Sequence, residues 1–245
     1  MRVLAAVKRV PITGGRIVLT DDAQAIDTRH LGFTVSPHEE CAAEEAVRLV
    51  EAHGGASTVL TLGPPEAEEQ LRDLLAIGVD DAVHLVSTGE EWDPQATAAA
   101  IVAAAADGGY DLILFGNESA DGGNFQVAAR VAHALGLPYV TGVKAIAVED
   151  SSVRCEQEVA GGRDVYRLTL PAVIGVKEGL NLPRYPSVPG RLRAKRKPLE
   201  TSTPQRPPSL LAMRALRLPE GSGKQVRILD GPAAVVEVLA ELGLL

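Results

Sequence analysis

Cysteine is scarce in this chain: Cys41 and Cys155 are the only two in 245 residues, and they lack metal-type spacing. A disulfide framework is therefore not expected, and a reducing compartment suits the sequence best. No apolar run approaches the roughly 20 residues that a membrane-spanning helix requires. The opening MRVLAAVKRVP is too short in apolar residues for a secretory signal and reads as a first strand. The five histidines, His30, His38, His53, His84 and His133, show no metal-ligand spacing. No nucleophile–base constellation stands out. Positive charge is in deficit, with a net charge of −8. Such a chain is a poor general nucleic-acid binder unless its basic residues cluster. These absences leave a cytoplasmic protein with no membrane insertion as the expectation.

What is present is a large apolar fraction, 46%, enough to bury a substantial core. Apolar runs alternate with helical patterns. Arg2 to Val7, Thr58 to Leu62, Ala82 to Val86 and Leu112 to Phe115 read as buried strands. Helices are expected from Ser36 to His53, Glu66 to Ile77, Asp93 to about Ala106 and Asn124 to Leu135. Ser36 is placed as an N-cap with Pro37 at the first helical position and Glu39 closing a capping box. RIVLT, Arg16 to Thr20, follows Gly-Gly and is expected to form a small hairpin arm. Strands separated by helices of this length imply βαβ units and a parallel sheet covered on both faces.

After Leu137 the pattern changes. Val143 to Val148, Val153 to Val159 and Val165 to Leu170 form an expected antiparallel meander, turning at Asp150-Ser151 and Gly161-Gly162. PAVIGV, Pro171 to Val176, is one more buried strand. Beyond Lys177 periodicity is lost, TSTPQRPPS reads as an extended linker, and a last helix fits Pro232 to Leu242. The fold class expected is α/β and doubly wound, with a mostly parallel sheet, an antiparallel strand extension and an extended C-terminal arm. Residues 1–190 would be the nucleotide-binding domain and 191–245 an arm packing on a partner.

The most informative stretch is GNESADGGNFQVAARV, Gly116 to Val131, a glycine-rich exit from a buried strand. It is neither a P-loop nor G-x-G-x-x-G, and no Lys or Arg lies between Gly116 and Gln126. Helix N-termini bind anions through backbone N–H groups alone. Gly122 and Gly123 would let a backbone approach closely, and Asn124 and Gln126 add donors. Asp121 would accept from a ribose hydroxyl or cap the helix. The competing reading is an ordinary strand–helix turn. A second feature is basic: Arg184, Arg191, Arg193, Lys195, Arg196 and Lys197 crowd one segment of an acidic chain. A solvated loop, a nucleic-acid contact with only Tyr185 as a stacking ring, and a protein-docking loop tipped by Val188 are the three readings. Trp92, just before a helix cap, reads as a packing residue.

Several motifs converge. AAVKRVP, SPHEECAAEEAVRL, LGPPEAEEQLRDLLAIG, GNESADGGNFQVAARVAHALGLP, CEQEVAGGRDVYRLTLPAVIGV and NLPRYPSVPGRLRAKRKP follow one another over about residues 1–198. In that order the chain resembles the β subunit of electron transfer flavoprotein. The resemblance implies a Rossmann-like fold and a heterodimer with an α subunit that carries redox-active FAD. It implies AMP in this subunit, with flavin dehydrogenases of the acyl-CoA dehydrogenase type as donors and a quinone reductase as acceptor. Such a chain is an electron carrier subunit of fatty acid oxidation rather than an enzyme.

Carried over by position, the AMP site comprises Ala6; Ser36, Pro37, His38 and Glu39; and Leu62. It continues through Ser119, Ala120, Asp121, Gly122, Gly123 and Asn124, then Phe125, Gln126, Val127, Ala128, Ala129 and Arg130. The partner recognition loop comprises Tyr185, Pro186, Ser187, Val188 and Pro189, then Gly190, Arg191, Leu192 and Arg193. Departures are visible. Val188 stands where familiar members have Leu, and Gln157 where Arg or Lys is usual. Arg193 and Arg196 occupy positions of methylatable lysines. Ala120 to Gly122 resembles the branch that includes bifurcating members, which hold a second FAD in this pocket, whereas GNFQVAA departs from that branch's D-T-A-Q-V-G. A stand-alone adenine-nucleotide sensor is a further alternative.

Overall fold

The computed structural model describes residues 1–15, 17–88, 91–219 and 228–245. Five parallel strands form its centre: β1 (Arg2–Val7), β4 (Ala56–Gly63), β5 (Asp81–Val86), β6 (Leu112–Gly116) and β10 (Ala172–Val176). The meander β7 (Tyr139–Glu149), β8 (Ser152–Val159) and β9 (Gly162–Thr169) extends one side, and β11 (Glu200–Ser202) the other. The sheet order is β11-β5-β4-β1-β6-β10-β7-β8-β9. All pairings are parallel except β7 with β8 and β8 with β9. Apart from the short β11, this is the doubly wound, mostly parallel sheet with an antiparallel extension that the periodicity predicts.

Side chains on β1 alternate between two cores. Val3, Ala5 and Val7 pack in one cluster with α1 (Pro37–His53) and α2 (Glu68–Ile77). Leu4 and Ala6 pack in the other with α3 (Pro94–Ala105) and α4 (Val127–Leu135). Helices therefore cover both faces, which explains why the central strands are apolar at nearly every position. Strand β9, exposed at nearly every position, ends the sheet with Arg163, Asp164 and Arg167. Charged residues on an outer strand discourage pairing with another chain.

Four local expectations are corrected. The two-stranded arm is formed by β2 (Arg9–Pro11) and β3 (Phe33–Val35), not by RIVLT. Arg16 lies outside the described residues, and Leu19 makes only an isolated bridge to Ile26. Ser36 does precede α1, with Pro37 at its start, but its hydroxyl makes no capping bond. The Glu39 carboxylate accepts from the Lys8 N–H, 3.0 Å away. Helix α4 begins at Val127 rather than Asn124. Phe125 has φ +56°, a left-handed conformation incompatible with the first helical turn. Finally, the aperiodic basic segment contains a short helix, α5 (Val188–Ala194), capped by Ser187 accepting from the Gly190 N–H at 3.1 Å.

The chain divides into two compact units, Met1–Arg16 with Asp27–Met213, and Ile17–Ile26 with Arg214–Leu245. The second is held by Gln24 Nε2 donating to the Arg214 carbonyl and the Leu216 N–H to that of Ala23, both at 2.8 Å. Its helix α6 (Pro232–Glu241) buries no residue. No helix among the described residues is long and apolar enough to cross a membrane.

Candidate functional site

The chain runs from β1 outward to β4 and β5, then returns to place β6 on the other side of β1. Ligands of open α/β sheets occupy the crevice beyond the strand C-termini where the order reverses. A cavity of about 530 Å³ opens there, within the roughly 300–1,000 Å³ usual for small-molecule sites. The strand ends contribute Ala6 and Val7, Leu62 and Gly63, and Phe115 and Gly116. Phe33, Trp92 and Ile101 add apolar surface; Asn117, Ser119 and Asn124 add polar groups. Trp92 packs in the α3–α4 core, as its position suggests, and also faces this cavity.

The predicted residues divide. Ala6, Glu39, Leu62, Ser119 and Asp121 line the cavity, as do Asn124, Phe125, Gln126, Val127 and Ala128. Ser36, Pro37, His38 and Ala120 do not, nor do Gly122, Gly123, Ala129 and Arg130. Ser36 is fully buried and its Oγ lacks a hydrogen-bond partner among the described residues. His38 Nδ1 accepts from the Glu178 N–H at 2.7 Å, which leaves the proton on Nε2, 3.3 Å from the Glu118 carboxylate. Arg130 donates to Gln126 one turn back, at 2.9 Å. Phe125 is 60% exposed and strained, projecting beside the cavity.

The entry of α1 fits tightly against the end of β6. A Cβ on Gly116 would lie 2.6 Å from Glu39 Cγ and 3.1 Å from His38 Cβ. Only glycine permits this approach, and it brings Glu39 to the cavity wall. Burial pushes the Glu39 carboxyl up to about 7, against the Lys8 N–H and the nearby Ser36 groups. The Ser36 hydroxyl is close enough to act on it without hydrogen-bond geometry.

The charge that the 116–126 loop lacks comes from the end of β1. Lys8 Nζ lies 2.8 Å from Asp121 Oδ2 and also contacts Glu91. Burial lowers its pKa, but the two carboxylates outweigh this and raise it. Burial likewise raises Asp121, and Lys8 reverses that to a net lowering. Arg9 follows, its guanidinium carbon 3.3 Å from the Phe33 ring centroid. Its buried Nε has no hydrogen-bond partner among the described residues. Asn117 ties the loop to the next strand, accepting at Oδ1 from Thr141 Oγ1 at 2.6 Å and the Gly142 N–H at 3.0 Å. Lys8, Arg9, Glu91 and Asn117 are absent from the predicted set. The signal for the first two, AAVKRVP, is visible in the sequence, but it stands far along the chain from the glycine-rich loop it meets.

Comparison with known proteins identifies the family. Residues 25–206 match the Electron transfer flavoprotein domain family. "Electron transfer flavoprotein subunit beta" of Bacillus subtilis (strain 168) is 37% identical over 202 residues, covering 82% of this chain and 78% of that protein. The same-named protein of Syntrophomonas wolfei is 33% identical over 243 residues, covering 98% and 95%. That of Mycobacterium bovis is 36% identical over 208 residues, covering 82% and 78%.

The chain belongs to the electron transfer flavoprotein β-subunit family. In this β-subunit chain the basic segment is a built surface rather than a solvated loop. Arg184 binds Glu44 and Glu51, Arg191 reaches Asp73 at 2.7 Å, and Lys197 Nζ donates to the carbonyls of Val79 and Asp80. Arg72 donates in return to the carbonyls of Ala194 and Lys197. Gly190 is buried on α2, where a Cβ would lie 2.4 Å from the Ala76 carbonyl oxygen. Above this base Tyr185, Val188 and Leu192 are exposed, at 96%, 74% and 59%. Pro186 is partly buried, while Ser187, Pro189, Arg191 and Arg193 are exposed. Arg193, Lys195 and Arg196 make no ion pair among the described residues. Gln157 is occupied inside the sheet, donating to the Thr141 carbonyl at 3.0 Å.

Proposed function

We propose that this chain is the β subunit of a heterodimeric electron carrier and binds AMP in the cavity beyond β1, β4 and β6. The carrying observation is the meeting of family membership with a cavity at the sheet's reversal point, rimmed by donors. The residues fit a nucleotide. Arg9 has an orphaned buried Nε at the wall, Lys8 brings a cation, and Asn124 and Gln126 offer side-chain N–H groups. Phe33, Trp92 and Leu62 offer apolar surface for a base. Glu39 and Asp121 are acceptors suited to ribose or base donors.

An FAD on the α subunit supplies the one- and two-electron chemistry when bound. The β chain holds its own nucleotide, shapes the partner interface and docks redox partners. The rigid base and apolar tips of the 184–193 segment suit protein recognition. Flavin dehydrogenases of the acyl-CoA dehydrogenase type are the donors, a quinone reductase is the acceptor, and the complex works in the cytoplasm in fatty acid oxidation. Membrane insertion and nucleic-acid binding form no part of this reading.

The experiment is direct. The complex is purified with its α partner and denatured, and released nucleotides are quantified. One AMP and one FAD per heterodimer are expected. Two FAD and no AMP would instead support the bifurcating-type reading, which the Ala120-Asp121-Gly122 element favours. A lone chain that is stable and binds AMP saturably would support a stand-alone sensor. Val188→Asp is expected to weaken donor docking without changing nucleotide content.

A further inference from the structure

The cavity poses an electrostatic difficulty. Glu39, Glu91, Glu118 and Asp121 all line it, and the loop beside it has no cation of its own between Gly116 and Gln126. A phosphate entering such a wall is repelled unless a positive charge meets it. Two candidates face the cavity. Arg9 lies over Phe33, its charge spread across a ring face. Lys8 instead sits against the glycine-rich loop. A Cβ built on Gly122 would be 3.8 Å from its Nζ, and the Asp121 carboxylate is 2.8 Å away.

We propose that Lys8 is the residue that neutralises the phosphate of the bound nucleotide, and that Asp121 and Glu91 hold its ammonium at the cavity wall until phosphate takes the place of Glu91. The inference rests on the nucleotide reading above. An ammonium has three donors and no fixed fork, so it exchanges one oxygen partner for another without moving its stem. The Asp121 side chain is only 20% exposed and stays at the cavity wall, whereas that of Glu91 is 70% exposed. Glu91 can therefore turn to water as phosphate arrives, while Asp121 keeps its hold on the ammonium. The burial that would discharge an isolated lysine is offset by these partners, so the group stays cationic. The loop thus needs no Lys or Arg of its own: its cation comes from the residue that follows β1.

The test compares AMP with adenosine, which differ by the phosphate. Nucleotide-stripped complexes of wild type, Lys8→Gln, Lys8→Arg and Glu91→Gln are titrated calorimetrically with each. Loss of a charge-assisted contact is expected to lower AMP affinity about ten- to a hundredfold in Lys8→Gln, with adenosine affinity unchanged. Lys8→Arg should restore most of the AMP preference. Glu91→Gln, which removes a competitor for Lys8, should tighten AMP a few-fold and leave adenosine alone. A purely structural role for Lys8 would weaken both ligands together. Preserved AMP preference in Lys8→Gln, or weaker AMP binding in Glu91→Gln, overturns the assignment while leaving nucleotide binding intact. A wild-type complex that releases no nucleotide and binds neither probe overturns both.

Discussion

Arg184 grips Glu44 at three points. Its Nε and Nη2 lie 2.9 and 3.0 Å from the two carboxylate oxygens, and its own backbone N–H adds a bond of 3.1 Å. Glu44 is 1% exposed, and Arg184 also spans Glu51 at 2.7 and 3.0 Å. The start of the basic segment is therefore fixed to α1. Burial raises the Glu44 pKa, but Arg184 and Arg48 outweigh it and hold the carboxyl below its ordinary value.

Removing this arginine leaves a buried carboxylate with less compensation. Arg184→Ala is expected to lose roughly 1–3 kcal/mol, below the value for a fully desolvated pair because the arginine is partly exposed. Urea denaturation at neutral pH measures it. Because the folded pKa of Glu44 is depressed, its contribution is present above the ordinary carboxylate range and is lost as pH falls through the folded value. The difference between wild type and Glu44→Gln should therefore shrink in acid; a gap that stays constant with pH contradicts the pairing.

Glu39 has the opposite sign. Its folded pKa, about 7, stands above the ordinary value of 4.5, so the fold binds its proton more tightly than the unfolded chain does. Stability from this group should fall as pH rises from about 4.5 to 7. Glu39→Gln keeps an acceptor for the Lys8 N–H and cannot ionise. Its stability is expected to be flatter across that window, and thermal melts of both proteins from pH 5 to 8 give the comparison.

Asp93 joins two parts of the first unit. It caps α3 by accepting from the Ala96 N–H at 2.7 Å, and it also accepts from Leu210 and Leu211 at 2.6 and 3.0 Å. Asp93→Ala should lose about 1 kcal/mol or somewhat more, the upper part of the cap range. Faster amide exchange at Leu210 and Leu211 would accompany it, and unchanged exchange there would count against the tie.

Gly116→Ala tests the approach of α1 to β6. The added Cβ falls closer to Glu39 Cγ and His38 Cβ than ordinary contact allows, so the α1 entry must shift. An overpacking loss of about 1–3 kcal/mol is expected, together with loss of bound nucleotide. A variant that keeps full nucleotide content at wild-type stability would show that this contact does not position the cavity.

Much of the scaffold is legible in the sequence alone. Each of the strands β1, β4, β5, β6 and β10 coincides with a buried apolar run, and Asp93-Pro94 marks the start of α3 where an acceptor and a fixed φ suit it. Local signals failed where a distant group changed the balance. Ser36 and Glu39 match a capping pattern in sequence, yet the Ser36 hydroxyl makes no capping bond, and the Glu39 carboxylate accepts from the distant Lys8 N–H. Phe125 lies within a helical pattern, yet adopts a left-handed conformation that delays α4. Val188 to Ala194 lacks the apolar period of a buried helix because only Gly190 and Ala194 face inward.

The sequence by itself determined the layered α/β plan, since alternation of apolar runs with helical periods requires only local pattern and burial. It also carried the family motifs from AAVKRVP to RAKRKP. Tertiary structure alone decided which charges meet. Lys8 and Asp121 are 113 residues apart, and Glu44 and Arg184 140 apart. Their pairing follows from strand order and helix docking, which no local stretch encodes. The glycine-rich loop carries acids but no Lys or Arg; its cation, Lys8, follows β1, which neighbours β6 in the sheet and not in the chain.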